Sequence, residues 1–361
     1  MNTRNNYKKK CFKNLKENLF PLNLIFVNTK VTTRGYFSLG VSWLLVLTQP
    51  LVSHALGVNP DNLNDSPGRL SRHHPLTRRY SYSTRLIAQS QYLPALKPTQ
   101  PAALEQLNQG LALIQQSKVF EAIVAFEKAA QLNPKLAPAH YNLGLALRQV
   151  GKLQASADAF YQATQTDPEF ALAFANLGAA LLEGKNLSQA REYLERALEL
   201  DPLLGVAHYN MGLVMSQLRT PQQAIASFKQ AMQFSRNAPE PAYHLGLIYR
   251  QQGKLEEAKK AFEQAIKINP KYPEAHYNIG GILFTQRDLD GALAAFQQAA
   301  VANSNYANAY YAAGVVFLRQ NRFSDALQVL QYARDLYNSQ GNPQWGRRAE
   351  QLMEQARNSG F

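Results

Sequence analysis

The sequence predicts an all-α protein, a linear stack of helical hairpins, and three observations carry that prediction. A period of 34 residues runs unbroken from residue 103 to residue 340. Glycine recurs at one place in all seven copies (Gly110, Gly144, Gly178, Gly212, Gly246, Gly280, Gly314) and alanine at another (Ala129, Ala163, Ala197, Ala231, Ala265, Ala299, Ala333). Three residues before each alanine stands a large apolar residue: Phe126, Phe160, Leu194, Phe228, Phe262, Phe296 and Leu330. A fixed period of this length marks a repeat architecture, in which each unit leaves apolar surface that only its neighbour covers, so the array folds as one cooperative stack.

Numbered from Ala103 and its equivalents, each copy reads as two helices. Positions 4, 7, 8 and 11 fall on one face of the first, so that His140, Leu143, Gly144 and Leu147 stand together in the second copy. Small residues at positions 8, 20 and 27 let the paired helices approach, and the large residue at position 24 fills the space between them. Pro134, Pro168, Pro202 and Pro270, at position 32, end the second helix because proline cannot continue it. The departures are mild: Ser156 replaces alanine at position 20, and Arg236, Ser304 and Asn338 replace proline, where longer or softer turns are expected. Residues 343–357 set Trp345, Leu352 and Met353 on one side of a final helix that caps the stack with a polar face. Fifteen helices and no sheet are therefore expected: seven hairpins over 103–340 and a capping segment over 341–361.

The rest of the chain has a different composition. Residues 1–102 carry 14 Lys+Arg against 3 Asp+Glu, whereas residues 103–361 carry 24 against 22. The basic character thus belongs to the N-terminal segment, and the nearly neutral repeats lack the clustered cations that nucleic acid would require. From Gly35 to Pro60 there is no charged residue. Its apolar heart, Tyr36 to Leu47, follows eight basic residues and has the length of a signal-peptide core. Val52-Ser53-His54-Ala55 offers a cleavage site after Ala55. The alternative is an uncleaved anchor through which residues 35–60 hold the protein in a membrane. Either reading places the repeats outside the cytoplasm: periplasmic, secreted or membrane-anchored. A translation start at Val31 would leave the same apolar segment behind a shorter leader. Residues 56–102, with six prolines among Ser, Asn and Arg, read as a Pro-rich basic linker, which leaves 1–55 as leader and signal or anchor.

The small and large residues at positions 4, 7, 8, 11, 20, 24, 27 and 32 resemble the tetratricopeptide repeat of bacterial interaction proteins. That resemblance implies a right-handed superhelical α-solenoid whose first helices line a concave groove, with positions 2, 5, 9, 12 and 13 facing it. Position 5 carries Tyr141, Tyr209, Tyr243, Tyr277 and Tyr311, and position 9 carries Leu145, Leu213 and Leu247 besides Leu111. Arg148 and Arg250 stand at position 12 and Arg319 at position 13. A stripe of Tyr and Leu flanked by Arg suits a protein or peptide partner, because Tyr joins apolar area to a polar tip and Arg supplies fixed donors. The same tyrosines can instead pack against the neighbouring copy, and the asparagines at position 6 are explained by local hydrogen bonding. Family members that clamp a chaperone's C-terminal carboxylate use Lys and Asn where the first copy has Leu107 and Leu111, so that activity is not expected.

Nothing in the chain reads as an enzyme, and no cofactor, metal or small-molecule substrate is expected. His140, His208 and His276 lie 68 residues apart at position 4, beyond the reach of one ion. Gly151-Lys152, Gly184-Lys185 and Gly253-Lys254 lack the remainder of a phosphate loop and read as hairpin turns. The single Cys11 excludes a disulfide framework. The expectation is a protein-protein interaction scaffold, exported or anchored; an assembly factor for membrane or envelope complexes, or a membrane-peripheral protein acting through its basic linker, is the alternative.

Overall fold

The structure, a computed structural model, describes residues 101–359. Among the described residues there are fifteen helices and no strand. They are α1 (Pro101–Gln115), α2 (Val119–Leu132), α3 (Ala137–Gln149), α4 (Leu153–Thr166), α5 (Ala171–Glu183), α6 (Leu187–Leu200), α7 (Gly205–Gln217), α8 (Pro221–Phe234), α9 (Glu240–Gln251), α10 (Leu255–Ile268), α11 (Pro273–Thr285), α12 (Leu289–Ala302), α13 (Ala307–Arg319), α14 (Phe323–Ser339) and α15 (Pro343–Ser359). Among those residues the chain divides at Pro270 into a unit holding α1 to α10 and one holding α11 to α15. Within each unit every helix packs on its neighbours in chain order, as expected for an α-solenoid of helical hairpins.

Hairpin closure follows the predicted residue types. A Cβ added at Gly212 would lie 2.6 Å from Phe228, and one at Gly178 would lie 2.6 Å from Leu194. The same clash recurs in all seven copies, between the glycine at position 8 and the large residue at position 24. Phe126, Phe160, Phe228 and Phe262 are fully buried in the first unit, as are Phe296 and Leu330 in the second. Ser156, which breaks the alanine column, is satisfied in the core because its hydroxyl donates to the Gly144 carbonyl at 2.7 Å.

The turns rest on two features besides the proline column. In every copy position 15 is left-handed, with φ between 57° and 78° at Ser117, Gly151, Lys185, Arg219, Gly253, Arg287 and Asn321. Gly184 is not the strained residue of its turn, since its φ is −73° and Lys185 takes the left-handed place. Between copies, an Asn or Asp at position 31 makes an Asx turn by accepting the backbone N–H two residues on, as Asn133, Asp167, Asp201 and Asn303 do at 3.0–3.1 Å.

That side chain, not the proline after it, decides the turn. Ser304 stands in place of proline, yet Asn303 builds the same turn and no softening occurs. At Arg236 the preceding residue is Ser235, and α9 starts later, after an N-cap Pro239 in the helical region. At Asn338 the preceding residue is Tyr337, so α14 simply continues to 17 residues.

The final helix, α15, buries Ala349, Met353 and Ala356 and exposes Arg347, Glu350, Glu354 and Arg357. Trp345 is half-buried, 5.9 Å from Tyr311 and 6.0 Å from Tyr337 by ring centroids, with the Arg348 guanidinium 4.5 Å over its ring. No helix among the described residues is long and apolar enough to cross a membrane. The 35–60 stretch, Ala55 and the linker up to residue 100 lie outside the described residues.

Candidate functional site

The five tyrosines expected to line a groove are instead core residues. Tyr141, Tyr209 and Tyr311 are fully buried, and Tyr243 and Tyr277 are nearly so. Each of four rings leans on the position-24 phenylalanine of its own copy: Tyr141 on Phe160 at 5.6 Å, Tyr209 on Phe228 at 5.8 Å, Tyr243 on Phe262 at 5.7 Å and Tyr277 on Phe296 at 5.5 Å. Burial pushes the Tyr141 hydroxyl well above the usual phenol range, although Arg148 and a hydrogen bond from Asn176 work against it. That bond, Asn176 Nδ2 to Tyr141 Oη at 3.2 Å, joins position 6 of one copy to position 5 of the copy before. Asn142 faces Leu107 in that relation, and its Oδ1 is buried with no hydrogen-bond partner.

Three of the position-6 asparagines behave as local fasteners. Asn142, Asn176 and Asn278 donate to the carbonyls of Pro138, Leu172 and Glu274, four residues back, at 2.7–2.9 Å. The histidines at position 4 also have a structural role that residue type alone did not disclose. His140 Nε2 donates to the carbonyl of Pro134 and His208 Nε2 to that of Pro202, each at 2.9 Å, pinning the turn between copies.

Two predicted apolar residues, Leu145 and Leu213, are buried, whereas Leu247 is half-buried. The arginines divide three ways. Arg148 is not free for a ligand: its Nε donates to Glu183 Oε1 at 3.0 Å, and the pair is mostly shielded from water. Arg319 is exposed, with its guanidinium 6.0 Å from the centre of the Phe284 ring. Arg250 is half-buried and has no acidic partner among the described residues.

What remains open on the first helices of the first unit is a row that the tyrosines had overshadowed. Leu104, Leu172 and Val206 at position 2, and Leu111 and Leu247 at position 9, are half-buried. Gln115, Gln149, Gln217 and Gln251 at position 13 are exposed beside them. An apolar strip with an amide rim can take up side chains while its rim donates and accepts backbone hydrogen bonds. The third copy contributes only position 2 to the strip, since Ala175 and Ala179 stand in place of Tyr and Leu and let α5 and α7 pack directly.

Sequence profiles of the TPR repeat match residues 110–151 and 246–287, and those of the tetratricopeptide repeat match 141–204 and 285–341; together they span more than half of the chain. The chain belongs to the tetratricopeptide repeat family. Tetratricopeptide repeat proteins mediate protein-protein interactions and are typically non-enzymatic. No curated protein matches the sequence. Among solved structures, the tetratricopeptide stack resembles Pseudomonas aeruginosa pilF, with a TM-score of 0.51 and 20% identity over 57% of this chain and 94% of that one. It also resembles a chain of the APC/C hetero-tetramer Cut9-Hcn1, with a TM-score of 0.53 and 19% identity over 59% of this chain but only 42% of that one. A thermophilic tetratricopeptide protein of Thermus thermophilus, TTC0263, aligns at 25% identity and a TM-score of 0.43 over 51% of this chain and 100% of that one. Among the described residues no cluster of His, Cys, Asp or Glu is arranged to hold a metal ion.

Proposed function

We propose that the protein is an interaction scaffold that holds a peptide or protein segment along the first helices of its repeats, and that it acts outside the cytoplasm, exported or anchored. The observation that carries the first part is the strip of Leu104, Leu111, Leu172, Val206 and Leu247, each half-buried, with Leu104, Leu111, Leu172 and Val206 packed against the core on one side and still partly open to solvent, and with glutamines along its edge. Apolar positions that the fold does not need to bury are the ones a partner can cover. The second part rests on the 26-residue uncharged stretch from Gly35 to Pro60 behind its basic leader.

Two measurements test the two parts separately. Partner capture by the C-terminally tagged protein is expected to fall for Leu111→Lys with Leu247→Lys while helicity by circular dichroism stays unchanged; undiminished capture moves the site elsewhere. Intact mass and N-terminal sequencing of the protein from soluble and membrane fractions test the location. A soluble species beginning at Leu56 means a cleaved signal, an uncut membrane species means an anchor, and an uncut soluble species overturns both.

A further inference from the structure

We propose that the fourth and fifth copies form a bipolar subsite for an extended peptide segment, which sets a basic side chain against Glu240 and a carboxylate against Arg250. The proposal deepens the groove reading above and rests on it.

The chain provides its own control for Arg250. Arg148 stands at position 12 of the second copy and is paired with Glu183 at position 13 of the next. The equivalent residue for Arg250 is Thr285, which carries no charge. The arginine that stabilises the stack was therefore written together with its acid, and Arg250 was not. Its guanidinium, half-buried at the last turn of α9, is a donor fork without an internal acceptor among the described residues.

Glu240 is the complementary case at the other end of the same helix. It is half-buried at the first turn of α9 and has no cationic partner among the described residues. Partial burial pushes its carboxyl above the ordinary glutamate range, which is what desolvation does to an acid that no cation compensates. Glu240, Leu247 and Arg250 occupy positions 2, 9 and 12, within about 80° of one another on the helix at 100° per residue. Leu247 lies between the two charges, and Val206 of the fourth copy is half-buried at position 2.

The separation sets the ligand. Ten residues of α-helix rise about 15 Å, which an extended chain at about 3.3 Å per residue covers in four to five residues. A segment with Lys or Arg at one end, Asp, Glu or a terminal carboxylate at the other and apolar residues between matches the charges and the apolar floor together.

The test uses the full-length protein and dye-labelled, end-blocked hexapeptides with Lys and Asp at the two ends and four Leu or Ala residues between, made in both orders. Control peptides carry Gln for Lys or Asn for Asp, and binding is read by fluorescence anisotropy. One order is expected to bind. Glu240→Gln should weaken it about tenfold, an effect that disappears with the Gln peptide, and Arg250→Gln should do the same with the Asn peptide. The proposal is overturned if both variants bind like the wild type, or if they weaken charged and neutral peptides equally. It is also overturned if no peptide binds below about 1 mM. Leu247→Lys separates the two levels: loss of all peptide binding in that variant, with Glu240 and Arg250 variants silent, leaves the groove standing and removes only its bipolar character.

Discussion

Arg148 and Glu183 join consecutive copies: the Arg148 Nε–H donates to Glu183 Oε1 at 3.0 Å, thirty-five residues away in sequence and mostly shielded from water. An ion pair so placed ties α3 to the end of α5, and breaking it leaves the survivor desolvated without its partner. Arg148→Gln or Glu183→Gln is expected to cost about 1–3 kcal/mol in urea denaturation. The double variant should lose less than the sum of the two, and additivity would show that the pair contributes no coupling.

The glycine at position 8 sets how closely each hairpin closes. Gly212→Ala should destabilise the protein by about 1–3 kcal/mol, because the new methyl meets Phe228 within 2.6 Å and the ring must shift. Gly281, one residue after the glycine of the sixth copy, has open space where a Cβ would go, and Gly281→Ala should stabilise α11 by up to about 1 kcal/mol. Opposite signs in thermal melts of the two variants check the assignment.

Left-handed residues at position 15 offer a second pair with opposite signs. Gly151→Ala is expected to cost about 1 kcal/mol, since its φ of 78° disfavours any side chain. Arg219, at φ 60°, already bears that strain, and Arg219→Gly should raise the midpoint of denaturation slightly. A lower midpoint for Arg219→Gly would mean that its side chain makes a compensating contact.

Glu240 gives a pH signature. With its folded value raised by burial, the folded chain holds this proton more tightly than the unfolded chain. Its contribution to stability is fully present below the ordinary glutamate value and is lost as pH rises through the raised one. At pH 7 the ionised group therefore costs stability, and Glu240→Gln should melt higher than wild type, with the difference shrinking as the pH is lowered through that window. A melting difference that does not change with pH would assign the gain to something other than ionisation.

The period alone made the helices, their pairing and the Gly–Phe contacts legible, because those depend on residue size at fixed spacing. The candidate site was less legible. Tyr at position 5 is amphipathic, and whether its face is wet or dry depends on how closely the next copy approaches; Tyr141 is dry because Phe160, Phe170 and Asn176 surround it. The fate of Arg148 was written in the chain as Glu183, but only aligning position 12 of one copy with position 13 of the next reveals the pair. The turn signal lies one residue before the proline, in the Asn or Asp whose side chain bonds the backbone. The leader and linker, where the location reading rests, lie outside the described residues.

Repeats built on one set of packing positions have no intrinsic stop, since each hairpin leaves an apolar side that a further hairpin would cover. Helix α15 supplies the stop. Gly346 lets it approach α14 so closely that a methyl group there would overlap the Asn338 side chain, and charged residues cover its far side. Ending the chain before Pro343 would uncover Tyr311, Ala333 and Tyr337 as a leading edge without a successor. Molecules could then join head to tail in an open, heterologous contact, and filament length would become a matter of concentration rather than of the gene.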